Sequence, residues 1–262
     1  MAKSTKSGTP ENHEARVAFG YRDVAAADKQ RLVNEVFSHV AERYDQMNDL
    51  LSGGLHRLWK DDLVALLNPP RTGRTFRVLD VAGGTGDVAF RILRAGGAGT
   101  SVVIADISPA MMAEGRVRAQ HEGLSARCRF AGANAEALPF GDRSFEGYTI
   151  AFGIRNVTHV DVALAEAFRV LKPGGRFVCL EFSDVDVPGL DALYDAYSFT
   201  VMPAVGHIVT GEGAAYRYLA ESIRTFPCAA EFARIVAHAG FSRVTTRKLA
   251  GGIVAIHSAW RL

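Results

Sequence analysis

From Asp28 onward apolar residues recur at helical spacing. Leu32, Val33, Val36, Phe37, Val40 and Tyr44 share one face, which predicts an amphipathic helix. A second helix is predicted with Leu55, Trp59, Leu63 and Leu66/Leu67 on one side, ending at Asn68-Pro69-Pro70. Short apolar runs then replace the helical period and read as strands at 77–82, 101–106, 126–131, 145–152 and 176–182. Helical stretches separate them. One opens at Ser108-Pro109, a capping residue followed by proline in the first helical position. Another spans 160–171, with Leu164, Ala167, Phe168 and Leu171 inward, and Lys172-Pro173-Gly174-Gly175 follows as a turn. Strand and helix in alternation mean right-handed βαβ units and a mostly parallel sheet. After a helix near 228–239, strands near 241–248 and 252–260 are joined only by Ala250-Gly251-Gly252, which predicts an antiparallel pair.

Two regions stand outside this rhythm. Residues 1–27 are polar and aperiodic and read as a flexible N-terminal arm. Residues 184–226 are rich in Tyr and Phe and read as a helical cap, with 28–70 as an N-terminal helical lid on a single domain spanning 28–262.

Composition narrows the class. Hydrophobic residues make up 48% and charged residues 22% of the 262, which excludes a disordered chain. Thirty Lys and Arg against 28 Asp and Glu leave +2, no whole-protein field for nucleic acid. Three scattered cysteines, Cys128, Cys179 and Cys228, fit a reducing compartment better than a disulfide framework. The opening residues lack the apolar core of a signal peptide, and the longest uncharged run, 196–211, is short for a membrane span. A cytoplasmic protein is expected.

Candidate chemistry centres on Asp80-Val-Ala-Gly-Gly-Thr-Gly-Asp87, where the first strand passes into a helix. In an open α/β sheet, ligands bind at such carboxyl ends. Gly83, Gly84 and Gly86 allow a tight turn and close approach of a ligand, with Thr85 between them. Asp106, closing the second strand, is placed to accept both hydroxyls of a ribose. Gly84-x-Gly86-x-x-Ala89 also satisfies the dinucleotide fingerprint, so the turn alone leaves nicotinamide open. Asp80 and Asp87 are unwelcome beside a pyrophosphate but suit a cationic sulfonium donor. Asn134 and Ala135 follow the third strand and offer donors to an adenine edge, although a lone Asn is as readily a turn residue.

The motifs DVAGGTGD, the strand-ending Asp106, NAEALPF and LKPGG together resemble class I S-adenosylmethionine-dependent methyltransferases. Longer stretches narrow the resemblance: YDQMNDLLSGGLHRLWK (44–60), AFGIRNV (151–157), YDAYSFTVMPAVG (194–206) and YRYLAESIRTFP (216–227). They are similar to the quinone-biosynthesis C-methyltransferases of the UbiE type, over about 19–262. This implies an α/β, Rossmann-like seven-stranded sheet, mostly parallel, with an antiparallel C-terminal hairpin, N-terminal helices and a helical cap. It also implies S-adenosylmethionine as donor and a polyprenylated benzoquinol or naphthoquinol as acceptor. Family contacts to the donor fall on Thr85, Asp106, Asn134 and Ala135. A serine commonly found just before Phe-Gly is Ala151 here, a lost hydroxyl contact worth roughly 1 kcal/mol.

Methylating a ring carbon asks for a quinolate. If the quinol resembles tyrosine, ionising it at pH 7 costs roughly 4 kcal/mol. Arg155 and Asn156, after the fourth strand, are the first candidates to stabilise and orient that anion. The competing reading of Arg155 is a carboxylate pair that pins the loop. Asp45 and His56 are the candidate bases, with His56 equally readable as a helix cap or bridge. Phe152, Tyr197 and Met202 are candidate quinol contacts, and no metal is required. A prenyl tail suggests a site opening toward a membrane surface, with a homodimer or a quinone-biosynthesis complex as further candidate partners. A nicotinamide oxidoreductase and a catalytically silent, donor-binding scaffold subunit are the competing functions.

Overall fold

The computed structural model describes residues 16–38, 49, 52–185 and 213–262. Strands β3 (Phe76–Val81), β4 (Thr100–Asp106), β5 (Cys128–Gly132), β6 (Phe145–Ala151), β7 (Leu171–Phe182), β8 (Ser242–Leu249) and β9 (Val254–Arg261) form one seven-stranded sheet. Their order is β5-β4-β3-β6-β7-β9-β8. Pairing is parallel from β5 through β7, and β9 runs antiparallel to both its neighbours. The fold expected from the alternating pattern is the one observed. The hairpin closes with Leu249 opposite Val254 across the expected Ala250-Gly251-Gly252 connection. Lys172–Gly175 make an excursion inside the β7 span: pairing to β6 jumps from Phe145↔Leu171 to Gly147↔Arg176.

Central strands are apolar on both faces because both faces are covered. Successive side chains alternate. Leu79, Val81, Ile150, Phe177 and Cys179 join the core under α5 (Val160–Val170) and α7 (Ala229–His238), where Leu164, Ala167, Phe232 and Val236 are buried. Val78, Ile104, Val178 and Leu180 face the opposite layer. That layer is built by α2 (Leu55–Leu67), α3 (Asp87–Ala95) and α4 (Pro109–His121). Helix α4 starts as its sequence predicts, with the Ser108 hydroxyl accepting the Met111 N–H at 3.4 Å and Pro109 in the first turn. Helix α2 ends on Asn68, left-handed at φ 53°, before the two prolines.

Two readings change. The second half of the expected 1–27 arm is ordered: β1 (Arg16–Phe19) and β2 (Arg22–Ala25) pair antiparallel and run into α1 (Ala26–Ser38). Phe19 is buried, stacking at 4.3 Å between centroids on Tyr218 of α6 (Gly213–Thr225). Four-residue strands around a two-residue turn carry too little periodicity to register, and their burial is supplied by a helix 200 residues away. The stripe on α2 is also rotated. Leu55 is 43% exposed, whereas His56, Trp59, Lys60, Leu63, Val64 and Leu67 are inside. Most of the expected cap, including Tyr197 and Met202, and the base candidate Asp45 lie outside the described residues. Among the described residues no helix is long and apolar enough to cross a membrane. Cys128 and Cys179 are buried free thiols and Cys228 is an exposed one.

Candidate active site

The strand order turns back at β3/β6, and a crevice opens beyond the carboxyl ends of the strands at such a reversal. Here it is a cleft of about 1040 Å³ counting its open mouth. Of the residues singled out by sequence, Asp80, Gly83, Gly84, Thr85, Asp106, Asn134, Ala135, Ala151, Phe152 and Asn156 all line it. Gly86, Arg155 and His56 are not among its lining residues. Helix α1 closes one side with Gln30, Val33 and Asn34.

The glycine turn is shaped by contacts as well as by conformation. A Cβ on Gly83 would lie 2.8 Å from Ile104 and 2.9 Å from Asp80 Oδ2. Gly86 has φ 86° and would drive a Cβ to 2.7 Å from the Phe90 ring, so it serves the start of α3 rather than the cleft.

Asp80 is the most unusual group in the site. It is 1% exposed, and Oδ1 accepts the Thr149 hydroxyl at 2.6 Å. Oδ2 is buried with no hydrogen-bond partner among the described residues. Burial pushes its carboxyl up to about 7, against the opposing pull of the Thr149 hydroxyl and the Lys60 charge. A buried carboxylate oxygen left open costs stability unless something cationic completes it. Asp87, the second carboxylate expected around the turn, also lines the cleft, but both its oxygens are paired. Lys60 Nζ donates to its Oδ2 at 2.8 Å and Arg91 Nε to its Oδ1 at 3.1 Å. Although burial opposes it, those two cations hold Asp87 at about 2.

Asp106 ties the loops together. Oδ2 accepts the Gly84 N–H and Oδ1 the Ser108 N–H, both at 2.8 Å. A carboxylate has about four acceptor positions, so Asp106 keeps acceptor capacity for a ribose hydroxyl. Burial raises its pKa, offset by the N–H donors of Ser108, Gly84 and Ile107. Asn134 is first a turn residue, since Oδ1 accepts the Glu136 N–H at 2.9 Å, which leaves its amide nitrogen to the cleft. Thr85 accepts from Arg118 at 3.1 Å.

On the acceptor side, Phe152 is left-handed at φ 56° and packs between Trp59 and Phe182. A short 3-10 turn, Ile154–Asn156, follows. It delivers Asn156 to the cleft, with Oδ1 accepting the Tyr218 hydroxyl at 3.0 Å. Arg155 points elsewhere. Its guanidinium donates to Glu181 Oε1 at 2.8 Å and to the Phe152 carbonyl at 2.6 Å, and it lies over the Phe182 ring. Glu181 is 1% exposed. Of the two readings of Arg155, the pinning ion pair is the one observed. His56 is likewise committed, Nε2 sitting 2.8 Å from Asp49 Oδ1. Burial and the nearby Lys60 charge lower its pKa, with Asp49 opposing. Lys60 and Glu181 escaped the sequence reading because nothing in a helix stripe or a strand run marks a charged residue as buried.

The sheet and cleft define the class. A structure titled as a SAM-dependent methyltransferase from Aquifex aeolicus matches with TM-score 0.58 at 16% identity, covering 83% of this chain and 98% of that one. Haemonchus contortus phosphoethanolamine N-methyltransferase 2, solved with S-adenosyl-L-methionine, matches at 0.57 and 15%, covering 79% and 52%. These likenesses establish a Rossmann-like methyltransferase fold. The ubiE/COQ5 methyltransferase family matches residues 24–261, and the chain belongs to it. A ubiquinone/menaquinone biosynthesis C-methyltransferase UbiE of Rhodopseudomonas palustris (strain HaA2) is 58% identical over 244 residues, 93% of this chain and 96% of that protein. The protein of that name from Methylobacterium nodulans is 59% identical over 249 residues, 95% and 98%. The chain is therefore an S-adenosylmethionine-dependent C-methyltransferase of quinone biosynthesis. Neither the oxidoreductase nor the silent-scaffold reading is favoured.

The residues present fit that donor. The open oxygen of Asp80 suits its ammonium, and the remaining acceptor positions of Asp106 suit its ribose. Bound there, the donor supplies an electrophilic methyl on sulfur.

Proposed function

We propose that the acceptor is a ring carbon of a polyprenylated quinol, either a demethylmenaquinol or a 2-methoxy-6-polyprenyl-1,4-benzoquinol. The observation that carries this reading is near-full-length identity of 57–59% to proteins named for ubiquinone and menaquinone biosynthesis. In this reading Asn156 meets the quinol oxygen. Its amide oxygen is held by Tyr218, which turns the NH₂ group toward the anion that forms on ionisation. The Phe152 ring offers an apolar face to the quinol ring. Arg155 acts as a positioning residue: its pair with Glu181 and its bond to the Phe152 carbonyl set the turn that carries Asn156. The Arg155 N–H also donates to Glu181, at 3.3 Å, so one carboxylate fixes both backbone and side chain of that turn. Such placement brings reacting atoms to the ~3–3.5 Å separation from which transfer proceeds. A water-insoluble tail has to be enclosed by the protein or drawn from a bilayer, and in this reading the protein draws it from a bilayer as a peripheral enzyme at a membrane face.

The test offers the purified protein each reduced quinol separately, in detergent and in phospholipid vesicles, with product masses recorded. A gain of one methylene on at least one quinol, faster from vesicles, is expected. Donor binding with no methylation of either quinol would refute the proposed acceptor.

A further inference from the structure

We propose that Lys60 reads the carboxylate of the donor's amino-acid end, so that Lys60 and Asp80 together recognise a zwitterion. Lys60 sits mid-helix on the face of α2 that carries Trp59 and Leu63, and it is only 5% exposed. Burying an ammonium is costly, and a helix needs no charge at such a position to pack. Its side chain lines the cleft beside Asp80 and Gly83. An ammonium has three N–H donors. Among the described residues Nζ spends one of them, on Asp87 Oδ2 at 2.8 Å. Asp87 in turn does not depend on Lys60 alone, because Arg91 holds its other oxygen.

The charges sharpen the assignment. Arg91 also pairs with Asp61, so Lys60, Arg91, Asp61 and Asp87 form a chain of two cations and two carboxylates that sums to zero. Asp80 is the excess negative group next to it. The donor carries an ammonium, a sulfonium and a carboxylate. Its ammonium completes Asp80 Oδ2, the buried oxygen without a partner. Its carboxylate then lies next to that ammonium along two bonds, and Lys60 is the cation that faces the same pocket. Without a carboxylate, the ligand would bring an ammonium and a sulfonium to a site already holding a buried ammonium.

The inference rests on the donor assignment and is independent of the acceptor. Calorimetric titration of the full chain with S-adenosylmethionine, decarboxylated S-adenosylmethionine and 5′-methylthioadenosine tests it. The wild type is expected to bind the decarboxylated donor ~10- to 100-fold more weakly than the intact one, the range for a charge-assisted hydrogen bond. Lys60→Met should erase that preference by weakening the intact donor and relieving the repulsion of the decarboxylated one, with methylthioadenosine, which lacks the whole amino-acid end, unchanged. Lys60→Arg should keep the preference. Equal binding of intact and decarboxylated donor by the wild type, a measurement that needs no variant, would overturn the proposal. So would a preference that survives in Lys60→Met, or a loss shared by all three ligands, which would make Lys60 only the tether of α2 to α3. Failure of every ligand to bind would overturn the donor assignment along with it.

Discussion

Two buried charges sit at the same edge of the sheet and have opposite fates. Asp80, at the end of β3, keeps one oxygen without a partner in the cleft. Arg155, after β6, is engaged by Glu181, the Phe152 carbonyl and the Phe182 ring. Burial alone therefore does not mark a ligand contact. What distinguishes the two is access: Asp80 lines the cleft and keeps an oxygen open there, whereas Arg155 does not line it. The sequence nominates both, Asp80 for the cationic donor and Arg155 for the acceptor anion, because position along the chain does not show which charge is already paired.

The contrast can be broken most forcefully at Arg155. Arg155→Met leaves Glu181 charged and buried, so we expect a loss of about 3–5 kcal/mol in urea unfolding. Arg155→Met with Glu181→Gln should recover most of it, since neither variant residue is charged. If that double variant is stable and still positions Asn156, turnover falls by a small factor with donor affinity retained. A stable double variant with turnover lost ~10²-fold or more and an altered pH–rate profile would instead give the guanidinium a direct part in the chemistry.

At Asp80 the expected effects on stability and binding run in opposite directions. Its folded pKa, about 7, lies above the ordinary value of 3.8. The ionised form is thus disfavoured by folding. The resulting penalty is absent below pH 4, grows as pH rises, and is complete above 7. Asp80→Asn should stabilise the ligand-free protein at pH 8 by up to about 4 kcal/mol and change little at pH 4. The same variant should bind the donor at least ~10-fold more weakly, as read by calorimetry. In the wild type, donor affinity should rise with pH, nearly tenfold per unit below 7, then level off. A flat profile would remove Asp80 from the donor site.

The smallest effect belongs to Tyr218→Phe. Losing its bond to the Asn156 amide should cost about 1 kcal/mol and lower kcat several-fold, with donor affinity unchanged. An unaltered kcat would mean that Asn156 needs no such support.

The alternation of strands and helices, the C-terminal hairpin and the donor loop were legible in the chain because each depends on neighbours within a few residues. Short apolar runs, a Ser-Pro cap and a glycine turn after a strand are local statements, and Asp106 and Asn134 are singled out by their places after strands, whereas Thr85 is singled out by the family resemblance. What tertiary structure alone decided was which charges are satisfied. Glu181 lies 26 residues from Arg155, Asp87 lies 27 from Lys60, and Tyr218 lies 62 from Asn156. Those distances in sequence close only when the sheet assembles, and only then does Lys60 lie buried against its ion-pair partner on α3 while Leu55 is exposed. Local pattern can therefore place a side chain at the site, but only the packed sheet determines whether its charge is left open to a ligand.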